Sequence, residues 1–425
     1  MNDKMKLVTL DNGITIVSRK FARAGSAHLQ WSVARGAYDE LPHEHGVAHF
    51  LEHTLVHPEI IYQPIMKRGA NVNAYTSYEN IVMFARVLPE NAAHAQHLLI
   101  DRGLIAPPIE QKDFDREFGP IKMEITERLS NPQVRLYMNA NAAMFAGQPR
   151  AHYIAGQHAD MDTHNLAKLH DFFARARDPK GVIAIAAGQF DQRAFFKAAE
   201  RSLRDLPQVG GERADPGRFA PGEVIFVEPP IREGLQPHEL PVGMLARFKA
   251  VSTASPDKLA YVVLGAMLGA GMDSPLMQEL REKRGLVYGV GAKLDAWRTD
   301  GNLQVSLNTS RGNIEQATQV LADTLARADS FLTRERFEDT RALIKFEFAD
   351  STEDSENWSA RVVGDLATYG RIRSRSELLA SFESITLADV KRVAASAFGQ
   401  QPFVAAQGAV EGVRFKPVFD KALGL

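Results

Sequence analysis

The chain has 425 residues, 45% of them hydrophobic and 24% charged, with a formal net charge of −2. At roughly 100–200 residues per domain this is two domains, each long enough to bury a core, and the near-neutral balance argues against a nucleic-acid or acidic-membrane surface. There is no cysteine, so disulfides are excluded and a metal would have to be held by His and carboxylates.

The opening MNDKMKLVTLDNGITIV lacks the apolar stretch of a signal peptide and the Arg/Ser-rich look of a transit peptide. No apolar run approaches the ~20 residues that span a membrane. A cytoplasmic protein without membrane insertion is expected. Leu7–Leu10 and Ile14–Ser18 read as strands around a turn at Asp11-Asn12-Gly13, and Ala27–Val33 as a third. Gly46 to Val56 reads as a helix. Asn71 to Leu88 is strand-rich, with Tyr75, Ile81, Val82 and Phe84 as β-formers. Helices are expected at Ala92–Ile100, Phe114–Leu129 and Leu166–Ala176, and a buried strand at Val182–Ala187.

Asp205 to Gly222, DLPQVGGERADPGRFAPG, has no apolar periodicity and reads as a linker. The expected domains are 1–207 and 224–425, with 208–223 between them. In the second, strands are expected at Val224–Val227, Val287–Ala292 and Leu303–Thr309. Helices are expected at Pro256–Leu268, Ser274–Lys283, Ile314–Ala328, Arg334–Ala349 and Leu387–Phe398. A helix around Asn165–Ala176 leads into Val182–Phe190, and Leu387–Phe398 leads into Phe403–Val410. The offset is close to half the chain, as a duplicated α+β domain would give.

His49 and His53, in HFLEH, are four residues apart and share one helix face, with Glu52 beside them. Zinc takes imidazole nitrogens and a carboxylate oxygen, and a catalytic site needs three protein ligands and an open position. Two are here, with a carboxylate to take a proton from water. Solvated surface residues would read the same in isolation. Here Val47, Ala48, Phe50, Leu51 and Leu55 make the helix mostly buried, where two His and a Glu need partners. The best third ligand is Glu124. Glu117, seven residues earlier, shares its face if the helix is continuous. His43, His45 and His57 read as loop residues.

LDNGITIV (Leu10–Val17), GVAHFLEH (Gly46–His53), NAYTS (Asn73–Ser77) and RGLVYGV (Arg284–Val290) together resemble the inverted-zincin peptidases of the M16 family. The match is to the short two-domain subfamily that includes the mitochondrial processing peptidase and bacterial homologues. The resemblance implies an α+β fold: two related α/β-sandwich domains joined by a linker, half of a clamshell. It implies one zinc per chain held by His49, His53 and Glu124, with Glu52 as general base and Glu117 as supporting carboxylate. Arg281 and Tyr288 match the family's substrate-contacting pair, and Asn73 and Ala74 its substrate-pairing strand. The implied activity is a zinc metalloendopeptidase acting on peptides or unfolded segments. The implied assembly is a homodimer, or a heterodimer with a related subunit. A non-catalytic subunit of the same fold and a maturation protease for one ribosomal peptide are the alternatives. Two departures stand out. Thr54-Leu55-Val56-His57-Pro58 replaces the usual Met- and Phe-containing continuation. Gly119-Pro120 falls in a family helix that normally has no breaker, and would displace Glu117.

Overall fold

Gly13 takes φ 99°, a left-handed value that favours glycine, and turns the first strand back on the second. The computed structural model describes residues 5–21, 23–107, 109–227, 236–351 and 354–425. Their strands are β1 (Met5–Thr9), β2 (Thr15–Lys20), β3 (Ala27–Val33), β4 (Asn71–Thr76), β5 (Ile81–Val87), β6 (Val182–Gly188), β7 (Gly222–Val227), β8 (Pro241–Ala250), β9 (Gly289–Ala296), β10 (Gly301–Ser310) and β11 (Phe403–Gly408). The helices used below are α1 (Val47–Leu55), α2 (Gln111–Ser130), α3 (Pro132–Met144), α4 (Leu166–Ala176), α5 (Gln192–Leu203), α6 (Lys258–Gly269), α7 (Ile314–Ala326), α8 (Ser355–Tyr369) and α9 (Leu387–Phe398).

The chain forms two compact units that are not contiguous halves. The first takes 1–127, 152–215 and 350–372; the second takes 128–151, 216–349 and 373–425. The segment read as a linker is pinned to the first unit at its start. Arg35 Nη2 donates to the Gly211 carbonyl at 2.8 Å, and Arg213 Nη2 to that of Glu79 at 2.9 Å. The first unit also takes in α8, which Asp354 caps by accepting from the Glu356 and Asn357 amides. Neither α3 nor α8 was expected from the sequence.

In the first unit the sheet order is β1-β2-β6-β3-β5-β4, with β2 and β6 parallel and the other neighbours antiparallel. Alternation along the strands gives the sheet two buried faces. Leu29, Trp31, Met83 and Ala85 share one face, against the helical segment Ala92–Ile105. Trp31 Nε1 donates to the Leu99 carbonyl at 2.9 Å. On the other face, Trp358, Val362 and Val363 of α8 cover Val17, Ile183, Ile185 and Ala187.

The second sheet runs β7-β11-β8-β10-β9, with β7 and β11 parallel. Its larger core packs Met244, Phe248, Leu303 and Val305 with apolar residues of α6, α7 and α9. On the opposite face, Leu136, Ala140 and Met144 of α3 cover Leu245, Phe403 and Ala405. Without β1, the first sheet has the same strand order and directions as the second. The internal repeat is therefore one of topology, with α4–β6 answering to α9–β11. This is a mixed α/β fold with two sheets packed against helices.

Trp358 is 2% exposed and meets the Phe21 ring edge-on at 6.2 Å. Trp358→Ala is expected to destabilise the protein by about 3–5 kcal/mol, the range for a large buried aromatic cut to alanine. Denaturant unfolding measures it, and faster amide exchange in β6 would locate the loss.

Candidate metal centre

The helix that carries His49 and His53 begins with buried anchors. Gly46 takes φ 94°, and a Cβ there would lie 2.6 Å from the Ala155 carbonyl oxygen. Glu40 accepts from the Gly46 and Ala48 amides at 3.0 and 2.8 Å, satisfying two donors of the helix start. Burial pushes the Glu40 carboxyl well above its ordinary value, against the pull of those two bonds.

α2 runs unbroken from Gln111 to Ser130 with Pro120 inside it. The expected displacement of Glu117 does not occur. Gly119 and Pro120 lie on the exposed face, where the hydrogen bond that proline removes can be replaced by water. Glu117 and Glu124, two turns apart, both reach the helix opposite.

His49 Nε2 lies 3.6 Å from Glu124 Oε1, and His53 Nε2 lies 3.2 Å from Glu124 Oε2. His53 Nδ1 lies 3.5 Å from Glu117 Oε2. One donor atom from each of His49, His53 and Glu124 lies within 4.8 Å of the others; among the described residues it is the one such group of three. Donors about 2.0–2.2 Å from a tetrahedral zinc are about 3.4 Å apart, and the two His–carboxylate separations, each to its own oxygen of Glu124, lie close to that. His49 is 7% exposed, and its Nδ1 is buried with no hydrogen-bond partner among the described residues. Burial opposes charge on His53, but its bonds to Glu117 and Glu124 outweigh it and push the imidazole up to about 9. Burial likewise opposes charge on Glu117, but His53 and Arg116 hold it below its ordinary value.

Glu52 is half-buried beside the group. The Thr76 hydroxyl lies 3.0 Å from Glu52 Oε2 and 3.3 Å from the Ala48 carbonyl, and can donate to either. Thr76, Glu40 and their contacts were missed in the sequence reading. Thr76 joins residues 28 and 24 positions away, and only the strand pattern around it hinted at its place. Glu40 reaches amides six and eight residues on, across a loop with no helix or strand period to reveal the contact.

His43 is exposed, and His45 stacks on His152 with ring centroids 3.4 Å apart. His57 lies between two helices, as the loop reading had it, but is buried: it is 4% exposed, with Nε2 3.1 Å from Asp113. None of the three joins the donor group. Asn73 and Ala74 lie in β4, at the sheet edge and, among the described residues, paired only with β5. Ala74 is 8% exposed and turned inward. Arg281 and Tyr288 come together in the second unit, the guanidinium 5.6 Å from the ring centroid. Tyr288 is 84% exposed.

With this geometry in view, the comparisons are direct. Residues 15–158 match the model "Insulinase (Peptidase family M16)", and residues 164–344 match "Peptidase M16 inactive domain". The chain belongs to the M16 family. A relative from Rickettsia bellii, named an uncharacterized zinc protease, is 26% identical over 93% of this chain and 95% of its own length. A chain of complex III2 from Candida albicans aligns with TM-score 0.85 at 16% identity, over 99% of this chain and 100% of that one. A protease from Helicobacter pylori aligns with TM-score 0.81 at 18% identity, over 96% and 100%. These structural likenesses speak for the fold alone. Among the described residues no helix is long and apolar enough to cross a membrane.

The raised His53 gives a pH signature in metal-free protein. A folded-state value above the unfolded 6.5 stabilises the fold in full below 6.5, and the contribution is lost as pH rises through about 9. The melting temperature of chelator-treated protein should fall across that window, and His53→Gln should flatten the fall.

Proposed function

We propose that this M16 chain is a zinc-dependent endopeptidase, with His49, His53 and Glu124 as ligands of one zinc ion and Glu52 as general base. The observation that carries the reading is the meeting of three donor atoms with zinc-compatible spacing beside a free-ended carboxylate. A zinc ion bound there supplies Lewis acidity, polarising the scissile carbonyl and making water nucleophilic near neutral pH. Glu52 takes the proton of the attacking water and returns it to the leaving amine. Thr76 steadies Glu52 Oε2, and among the described residues Oε1 has no hydrogen-bond partner. Glu117 steadies His53 from its Nδ1 side, as outer-shell carboxylates do.

The edge of β4 offers main-chain groups to an extended peptide, with Asn73 outward and Ala74 contributing main chain alone. An extended substrate is by requirement a peptide or an unfolded segment. Tyr288 supplies a hydrogen bond to the developing oxyanion, and Arg281 holds substrate main chain. In the dimer that the family resemblance implies, each site takes its zinc ligands from one subunit and Arg281 and Tyr288 from the other, around a chamber. The same site would serve a protease dedicated to one ribosomal peptide. A non-catalytic subunit has no use for the assembled donors and base, which weighs against that alternative.

Glu52→Gln should keep zinc by metal analysis and lose hydrolysis of a mixed peptide library by at least about 100-fold, the usual scale of a general base. Wild-type protein with neither zinc nor chelator-sensitive hydrolysis would favour the non-catalytic subunit. Mixing Glu52→Gln with Arg281→Ala chains, under conditions where subunits exchange, should restore activity. Continued inactivity would count against the shared site.

A further inference from the structure

We propose that Arg116 is a positioning residue for the metal centre: anchored by the buried Asp113–His57 pair, it fixes Glu117 against His53 Nδ1 so that Nε2 is left to ligate. The proposal rests on the zinc reading above.

His53 and His57 are four residues apart, at the end of α1 and just past it. Asp113 and Glu117 are four residues apart on the first turns of α2. Each imidazole meets one of these two carboxylates, His57 Nε2 with Asp113 Oδ1 at 3.1 Å and His53 Nδ1 with Glu117 Oε2 at 3.5 Å. Arg116 joins the two pairs. Its Nη1 donates to Asp113 Oδ1 at 2.7 Å and its Nε to Glu117 Oε1 at 2.9 Å.

The far end of this chain of contacts is rigid. His57 Nδ1 accepts from the Glu59 and Ile60 amides at 3.2 and 3.3 Å. That nitrogen therefore carries no proton, and Nε2–H is the donor to Asp113. Asp113 is fully buried, and its Oδ2 accepts from the Glu110 amide. Its rotamer is thus set from both oxygens, and it sets the guanidinium in turn.

The near end is where the order is needed. Glu117 and Glu124 both approach His53, and an imidazole that ligates a metal keeps a proton on one nitrogen alone, so which nitrogen keeps it has to be set. A Glu117 held by Arg116 takes the Nδ1 proton as its partner and leaves the Nε2 lone pair toward Glu124. A Glu117 released from Arg116 has other rotamers, and the tautomer that ligates is no longer selected. The Arg116 side chain is 36% exposed, so an uncharged replacement leaves no buried cavity.

The test is zinc affinity by competition with a chromophoric chelator, on the full-length protein. The melting temperature of the zinc-free protein serves as the check of folding. Arg116→Met should weaken zinc by about tenfold or more, the scale of outer-shell losses. Arg116→Gln should do the same should Met perturb the helix. Arg116→Lys should recover most of the loss, because an ammonium still donates to Glu117. Arg116→Met combined with Glu117→Gln should be no weaker than Glu117→Gln alone, since Arg116 acts through Glu117. Zinc affinity of Arg116→Met within twofold of wild type, or losses that simply add in the double variant, overturns the proposal while the zinc site stands. Wild-type protein that binds no zinc overturns the zinc reading and this proposal with it.

Discussion

Two imidazoles on one buried helix face need partners, and most of the first unit can be understood as the means of bringing partners to them. α1 cannot expose His49 and His53 without uncovering Phe50 and Leu51, both fully buried. α2 therefore has to bring carboxylates to the helix. It does so with Glu117 and Glu124, two turns apart, one on each side of His53. In the metal-free protein the result is a charged pairing at partial burial, which is costly unless each group is matched. The same arrangement leaves three donors whose spacing suits a small divalent cation.

The scaffold around this pairing is itself polar and buried. Glu40 holds the start of α1, Thr76 touches Glu52 from the edge strand, and Asp39, next to Glu40, lies 3.6 Å from Arg213 of the segment after Leu206. Buried carboxylates of this kind are expensive singly and specific collectively, because each has only one arrangement that satisfies it. The ligand geometry is thus fixed from the β-sheet and from both helix ends, not by the helix face alone.

Much of the centre was legible from residue spacing. The four-residue step of His49 and His53 and the seven-residue step of Glu117 and Glu124 are helix periods, and helix periods survive into the structure. Gly119-Pro120 misled because a proline rule applied locally takes no account of which face it falls on; here the missing bond lies on the exposed side. His57 does sit between helices as read, but its burial was not legible because its partner, Asp113, is far along the chain. Thr76 was hidden for the same reason, and Glu40 because its contact with the start of α1 crosses a loop that has no period. The strands were legible where the pattern was strong, by alternation in β3 and as a continuous apolar run in β6. The placement of α3 and α8 was not, since an amphipathic helix does not reveal which sheet it will cover.

That placement has a consequence for how the chain is made. The face of the first sheet built from Val17, Ile183 and Ile185 is covered by Trp358 and Val362. The ribosome completes that sheet at Gly188, long before it reaches residue 355, so a nascent chain carries an uncovered apolar β-surface through about two-fifths of its synthesis. Until α8 emerges, the N-terminal portion is a folded scaffold with an open side, the state in which a growing chain is most exposed to aggregation and most in need of a chaperone.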